Sequence, residues 1–439
     1  MGALIFDIGN LIDRMGIWNK RILSNSVWMI LEKVIGIFGL IFVTSFVAKY
    51  IGPENFGKLT FAGSIFAIIQ TLAMFGSDNI IFQKTSKNIK SGEIIIEATK
   101  KIRNYIYILS SLGLLGYLYF NVDRLTFIFS LASCIALYFA LHDVYSIYFN
   151  AILESKINTF CNIVALVISL LLRFWIVELQ LPIEWLCLPI ILIAFVPYLM
   201  RRIIFHKKKK TQFVDAKKIK IYRNYMLSTG RKLVLYTLSI AIFTKTSQLF
   251  LGVKSQYDLG IYTVAATLGT SYYFVLSALI SSVMTQVYVE QDFDKSQKIV
   301  AQLNAFVILV SMMMLVFLLF FGKWIVETLY GDAFIPVVSI LWIMVLVCLF
   351  SGLSTVAEKY LIKFNAYDYL QRKTNILVVL NIFVTFITIH FYGLYGAVFS
   401  ILFTEIISTT ILNYFYQKYQ KIIIFDTQKR IFSLSTYLK

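Results

Sequence analysis

Long apolar stretches alternate with short polar segments along nearly the whole chain. A helix needs about 20 apolar residues to cross a hydrocarbon layer of roughly 30 Å. Within that layer, only helices or closed barrels can pair every backbone polar group. The pattern therefore predicts an all-α polytopic membrane protein. Twelve stretches are long enough to be transmembrane helices: 26–48, 59–82, 104–120, 125–149, 157–177, 183–204, 226–251, 261–289, 304–321, 336–361, 374–391 and 396–416.

The Lys and Arg residues lie mainly on one side of the predicted helices. With the N-terminus in the cytoplasm, 31 of the 41 Lys and Arg residues fall in cytoplasmic connections and 5 fall on the opposite side. Basic residues are retained in cytoplasmic loops, so both termini are predicted to be cytoplasmic. A net charge of +18 would suggest a nucleic-acid partner in a soluble protein. Here membrane topology explains the charge, and no nucleic-acid partner is expected.

The composition agrees with a membrane protein. Hydrophobic residues make up 59% of the chain and charged residues 15%, against about 45–50% and roughly 25% in soluble domains. The four cysteines lie in apolar stretches without CxxC spacing, so neither a disulfide framework nor a zinc site is indicated. No metal or cofactor is expected.

A basic segment at 206–225 divides the chain into two predicted halves. The N-terminal lobe would span 1–205 and the C-terminal lobe 226–418, each with six helices, followed by a cytoplasmic tail at 419–439. The basic segment would also meet anionic lipid headgroups.

Two glycine-bounded hairpins suggest that the lobes are repeats. One runs from Gly52 to Gly57, and the other runs from Gly252 to Gly260. Six helices per lobe give both lobes the same orientation, so they would be related by a pseudo-two-fold axis along the membrane normal.

The first hairpin also matches the opening of a phosphate-binding loop, GxxxxGK, at Gly52–Lys58. Leu59 stands where a Ser or Thr would have to bind magnesium, and membrane helices flank the segment. We therefore reject nucleotide binding.

Several segments resemble one family of transporters. Ala48–Leu59, which reads AKYIGPENFGKL, resembles the signature of Wzx-type polysaccharide and O-antigen flippases. These belong to the multidrug/oligosaccharidyl-lipid/polysaccharide (MOP) exporter superfamily. Asn25–Trp28, Gly260–Ala265 and Leu329–Phe334 agree with the same family and spread the resemblance over most of the chain. One departure stands at Lys245 and Ser247, where relatives often carry an Arg-x-Asp pair.

The resemblance implies a MATE-like fold of two lobes and a transport function. The protein would move undecaprenyl-pyrophosphate-linked oligosaccharide from the inner to the outer leaflet of the bacterial plasma (inner) membrane. This step serves the biosynthesis of surface polysaccharide, such as the O-antigen of lipopolysaccharide. Transport would proceed by alternating access, with proton or sodium counterflow as a candidate driving force. Membrane lipids and polysaccharide polymerase machinery are the expected partners.

Charged and polar residues within spans are costly unless they face a cavity or a partner, so they are candidates for function. Snorkelling to a helix end is the alternative, particularly for Arg231. The predicted substrate-binding residues are Asn25, Trp28, Lys33, Arg231 and Lys245: the lysines would attract the pyrophosphate, and Trp28 would stack on a sugar. Glu32 and Lys232 are related by the offset of 200 residues that aligns Gly52 with Gly252, and they would form a gate. The ion-coupling candidates are Glu405, His142 and Asp143.

Two other functions were compared with a flippase. An ion-coupled drug or metabolite antiporter of the same superfamily remains the main alternative. A membrane-embedded glycan polymerase or ligase would need a large extracytoplasmic loop. The longest predicted connection on that side spans 322–335, which is too short for such a catalytic site. The chain is therefore predicted not to be an enzyme.

Overall fold

A computed structural model describes residues 20–209 and 216–414. Within these ranges the regular structure is helical, apart from two short 3-10 turns at Ile183–Leu186 and Asp332–Phe334. The helices are α1 Lys20–Met74, α2 Ser77–Lys87, α3 Ile89–Asn121, α4 Arg124–His142, α5 Tyr145–Ala151, α6 Ser155–Glu178, α7 Cys187–Lys208, α8 Ala216–Lys254, α9 Gln256–Gly269, α10 Tyr273–Val289, α11 Phe293–Tyr330, α12 Val337–Lys363, α13 Tyr367–Thr409 and α14 Ile411–Tyr414.

Many of these helices are long and apolar enough to cross a membrane. The described residues contain eight such stretches, or nine if the bent pair α9 and α10 is one span. The chain is therefore a multi-pass membrane protein with an all-helical fold. The predicted span at 104–120 lies in α3, which does not meet the same criterion. The number twelve and the two-fold relation between the lobes stay predictions.

The helix boundaries differ from the predicted spans at two hairpins. Helix α1 covers the first predicted span and most of the second, and α13 covers the eleventh and most of the twelfth; each consists of two helices that meet at a kink, at Gly52 and at Gly393. The second span was predicted to reach residue 82 but ends at Met74. Phe75 and Gly76 have positive φ angles of 52° and 68°, which helical backbone cannot contain.

The chain forms two compact units that alternate along the sequence. Unit 1 comprises the described parts of Met1–Leu40, Ile69–Phe120 and Leu131–Val234. Unit 2 comprises Ile41–Ile68, Asn121–Ser130 and the described part of Leu235–Lys439. The division into lobes at 206–225 stays a prediction.

Unit 1 has a core built from apolar faces of α2, α3, α5 and α7. Ile81, Ile95 and Phe149 are fully buried there. Phe205 packs edge-on against Tyr148, with ring centroids 4.9 Å apart. Such edge-to-face pairs add a modest stabilisation beyond the burial of their area.

Unit 2 is organised around α12, which packs against α9, α10, α11 and α13. Helices α9 and α12 approach closely because residue 269 is a glycine: a methyl group there would lie 2.5 Å from Cβ of Met344. Small residues allow helix backbones in a membrane to approach in this way. This packing holds α12 in place, and with it the polar side chains of Ser351, Ser354, Thr355 and Glu358.

Candidate functional site

Three of the four segments that carry the family resemblance lie in unit 2, namely Ala48–Leu59, Gly260–Ala265 and Leu329–Phe334. Lys49 Nζ lies 3.4 Å from the carbonyl oxygen of Thr328, near the end of α11. The ring of Phe56 meets the ring of Phe334 edge-on, with centroids 6.3 Å apart. The Ala48–Leu59 and Leu329–Phe334 segments therefore pack on each other, although about 280 residues separate them in sequence.

Two glycines in these segments share one unusual backbone conformation. Gly52 has φ 75° and ψ 170°, and Gly331 has φ 83° and ψ 174°. This region of backbone space is accessible almost only to glycine. Each glycine therefore permits a turn that a residue with a side chain would adopt only under strain.

A second pair of glycines brings the first hairpin against the second. A methyl group at Gly57 would lie 1.7 Å from the carbonyl oxygen of Gln256, and one at Gly260 would lie 2.0 Å from that of Pro53. The same offset of 203 residues relates Gly57 to Gly260 and Pro53 to Gln256. The contact is therefore reciprocal between the two hairpins. We call these four residues the glycine contact.

Lys58, the residue in the position of a phosphate-binding lysine, has two acidic neighbours in unit 2. Its Nζ lies 3.2 Å from Glu54 and 3.2 Å from Asp123. Burial alone would raise the pKa of Asp123, but hydrogen bonds from Thr126 and Lys58 hold that pKa below its usual value. This pairing agrees with the rejection of a nucleotide-binding loop.

A polar cavity of about 260 Å³ lies within unit 2 between α8, α12 and α13. We call it the C-terminal cavity. Its polar lining consists of Thr244, Ser351, Ser354, Thr355, Glu358, Thr374, Glu405 and Ser408. Ser354 and Ser408 hydrogen-bond each other at 2.8 Å, and the Thr355 hydroxyl bonds that of Tyr273 at 2.7 Å. Two carboxylates and six hydroxyls thus share one small space among apolar helices.

A buried lysine stands beside this cavity. Lys373 is 1% exposed, and its Nζ lies 3.5 Å from Glu358 Oε1. The same ammonium donates a 2.9 Å hydrogen bond to Asn413 Oδ1. Glu405 interacts electrostatically with both Glu358 and Lys373. Its side chain is also within hydrogen-bonding range of Ser351.

Unit 1 contains a separate buried ion pair. Arg201 on α7 pairs with Asp143, which lies at the break between α4 and α5. The guanidinium also donates to the side chain of Asn162 and to the carbonyl oxygen of Asn158. A buried pair of this kind fixes local geometry, because removal of one partner would leave the other charge uncompensated.

Comparison with known proteins assigns the family. The model of a family described as polysaccharide biosynthesis protein matches residues 46–339. The chain belongs to this polysaccharide biosynthesis family. The match spans most of the chain and includes the first hairpin, the Gly260–Ala265 segment and Leu329–Phe334. No curated protein matches the chain by sequence.

Solved structures show which fold this family member adopts. An inward-facing multidrug resistance MATE family transporter of the MOP superfamily matches with TM-score 0.69 and 13% identity, over 96% of this chain and 100% of that one. The lipid II flippase MurJ in an inward closed conformation matches with TM-score 0.66 and 16% identity, over 89% and 86%. An outward-facing MATE transporter matches with TM-score 0.58 and 12% identity, over 94% and 95%.

These findings confirm the resemblance to MOP exporters that the signature segments carry, and the MATE-like fold. The folds that this member of the polysaccharide biosynthesis family resembles are those of transporters and a flippase. The similarity to these proteins is therefore a similarity of fold.

The predicted substrate-binding residues have different surroundings in this family member. Lys156 Nζ lies over the ring of half-buried Trp28, 5.6 Å from its centroid. Lys245 donates a 2.9 Å hydrogen bond to Gln248, which also accepts a 2.6 Å bond from Ser64. The Arg231 side chain is exposed. The side chains of Asn25, Glu32, Lys33 and Lys232 lie outside what the structure describes.

The ion-coupling candidates fall in two places. Glu405 lines the C-terminal cavity of unit 2. In unit 1, buried His142 packs edge-on against Tyr138 at 4.6 Å between ring centroids. Its Nε2 has no hydrogen-bonding partner among the described residues. Asp143 faces a cation, Arg201, that sequence reasoning did not connect with it.

Sequence reasoning missed two ion pairs that have a buried cation. Arg201 and Lys373 were counted with the cytoplasmic connections because each lies near the end of a predicted span. The structure buries both and pairs each with a carboxylate more than a dozen residues away. Only the helical packing reveals these partners, because no local spacing links them.

Proposed function

We propose that this protein is a flippase for undecaprenyl-pyrophosphate-linked oligosaccharide. It would move repeat units from the inner to the outer leaflet of the bacterial inner membrane for surface polysaccharide such as O-antigen. The observation that carries the proposal is the match of a polysaccharide biosynthesis family to a chain with a transporter fold. A member of a polysaccharide biosynthesis family that has a transporter fold is expected to move a polysaccharide precursor.

The chemistry of the substrate supports a protein-lined path. Its head carries a pyrophosphate and many hydroxyls, which cannot cross hydrocarbon without replacement of their water. Lys33, Lys245 and Arg231 would supply positive charge for the pyrophosphate. Asn25 and Trp28 would contact sugar, and Trp28 would exchange its cation contact with Lys156 for the face of a sugar ring.

Alternating access requires a contact that closes one side of the membrane. We assign this role to the glycine contact, which would close the extracytoplasmic side. This side follows from the distribution of basic residues, which predicts that both termini are cytoplasmic. Glu32 and Lys232 would form the corresponding gate on the cytoplasmic side, separating when that side opens.

Counterflow of a proton or a sodium ion would drive transport, with Glu405 as the coupling residue. A carboxylate held in a small polar cavity between membrane helices is the type of group that exchanges an ion between two sides. His142 and Asp143 are further candidates in unit 1. Asp143 is the weaker of the two, because Arg201 already neutralises it.

Reconstitution tests this function directly. Purified protein in proteoliposomes should transfer a fluorescent undecaprenyl-pyrophosphate oligosaccharide to the opposite leaflet, where a soluble glycosidase can digest it. Protein-free liposomes and the Lys245→Ala variant are the controls. Transport of cationic dyes without transfer of the lipid-linked sugar would instead favour the ion-coupled drug or metabolite antiporter.

A further inference from the structure

Lys373 holds a buried positive charge beside the C-terminal cavity. Its side chain is 1% exposed, whereas that of its partner Glu358 is 44% exposed. Asn413 accepts a hydrogen bond from the ammonium at 2.9 Å. Burial of an ammonium is costly unless acceptors and a counter-charge remain in place. The cation is therefore held by the packed helices.

The charges around the cavity nearly balance. Glu358 on α12 and Glu405 on α13 contribute two carboxylates, and Lys373 on α13 contributes the ammonium that pairs with Glu358. The neighbouring titratable groups are Tyr273 on α10, whose hydroxyl bonds Thr355, and Cys348 on α12. Tyr and Cys are ordinarily neutral near pH 7. With both carboxylates ionised, the cluster carries one net negative charge.

One net negative charge requires one further cation for neutrality. A proton on Glu405 would provide it, taken up as the carboxylate faces one side of the membrane and released on the other. A sodium ion would bring the same charge, but it must also give up its water, and the ammonium of Lys373 repels it. Hydroxyl and carboxylate oxygens, the ligands that hard cations prefer, already line the cavity.

We infer that Lys373 determines the ion specificity of the C-terminal cavity: its ammonium supplies the charge that a bound sodium ion would otherwise bring to Glu358 and Glu405, so that the coupling ion is a proton. The inference rests on the proposed coupling role of Glu405. It identifies a specificity-determining residue and predicts that its removal creates a sodium site.

The test measures the thermal unfolding of the full-length protein in detergent, in sodium chloride and in choline chloride of equal ionic strength. Sodium should not change the unfolding temperature of the wild type or of Lys373→Arg. Lys373→Gln should unfold several degrees higher in sodium, with half of the increase reached at millimolar concentration, because an ion that binds only the folded state stabilises it. Lys359→Gln is the matched control, since this nearby lysine bonds the exposed Ser281 hydroxyl instead.

Two further variants make each outcome informative. Glu358→Gln with Lys373→Gln restores one net negative charge, and this double variant should lose the response to sodium. If Lys373→Gln folds only when sodium is present, the inference is supported. Stabilisation of the wild type by sodium would overturn it, as would a Lys373→Gln protein that responds equally to both salts or folds in neither. None of these results depends on glycan transport, so failure of the proposed substrate would be recognised separately in proteoliposomes.

Discussion

Replacement of Gly260 by Ala tests whether the glycine contact closes one side of the transporter. The new methyl carbon would lie 2.0 Å from the carbonyl oxygen of Pro53, whereas ordinary contacts begin at 3.4 Å. The two segments would have to separate by about 1.4 Å, because backbone atoms cannot rotate away. Overpacking of this kind costs about 1–3 kcal/mol. Since about 1.4 kcal/mol is a factor of ten, the closed state should become roughly 5- to 150-fold less populated.

Labelling of a buried cysteine measures this shift. In a background without Cys134, Cys161, Cys187 and Cys348, a single cysteine replaces Ala48, which is fully buried in unit 2. Membrane-impermeant maleimide added to intact cells should label this cysteine faster when Gly260→Ala is present, and faster still with Gly57→Ala. Gly63→Ala, on the same helix as Gly57, is the matched control, because a methyl group there meets no described atom within 4 Å. Equal labelling rates in all of these variants would refute the closing role of the contact.

The remaining predictions concern charged residues. Asp143→Asn should lower the free energy of unfolding by about 3–5 kcal/mol in thermal unfolding, since it leaves Arg201 buried without its counter-charge. The double variant Asp143→Leu with Arg201→Met should recover most of this loss. No recovery would show that loss of the ion pair is not the cause. Lys245→Ala should abolish surface glycan with normal membrane insertion, whereas Lys245→Arg should restore part of it; normal glycan in the Ala variant at native expression would exclude the residue. Glu32→Lys and Lys232→Glu should each impair export, and the double exchange should restore much of it; a double variant no better than the worse single one would exclude the gate.

Much of the fold could be predicted from sequence because the membrane imposes a simple rule. A helix that crosses hydrocarbon must be long and apolar, and that property is visible in any window of the chain. The breaks within α1 and α13 were less visible. Gly52 and Gly393 allow backbone conformations that end one helix and start the next without a separate loop.

The signature segments predicted the family but not their own arrangement. Ala48–Leu59, Gly260–Ala265 and Leu329–Phe334 were separate motifs in the sequence, and the structure packs them together in unit 2. The predicted repeat relates Gly57 to Gly260, yet only their three-dimensional contact reveals why a side chain is excluded at both positions.

The candidate sites were predicted in part. Glu405 was identified because an acid within an apolar span has no simple structural explanation, and it lines the C-terminal cavity. Its neighbours could not be predicted in the same way. Lys373 lies near a helix end, where a lysine ordinarily reaches water, and its burial depends on the packing of α12, α13 and α14.

The central claim, that this protein moves a lipid-linked glycan across the bacterial inner membrane, is tested most directly in cells depleted of it. The account predicts that undecaprenyl-pyrophosphate-linked repeat units accumulate on the cytoplasmic leaflet while surface polysaccharide disappears, and that the wild-type protein reverses both changes. Spheroplasts treated with a glycosidase distinguish the leaflets, because only outward-facing sugar is digested. Repeat units that reach the outer leaflet at an undiminished rate in the depleted cells would contradict the proposed function.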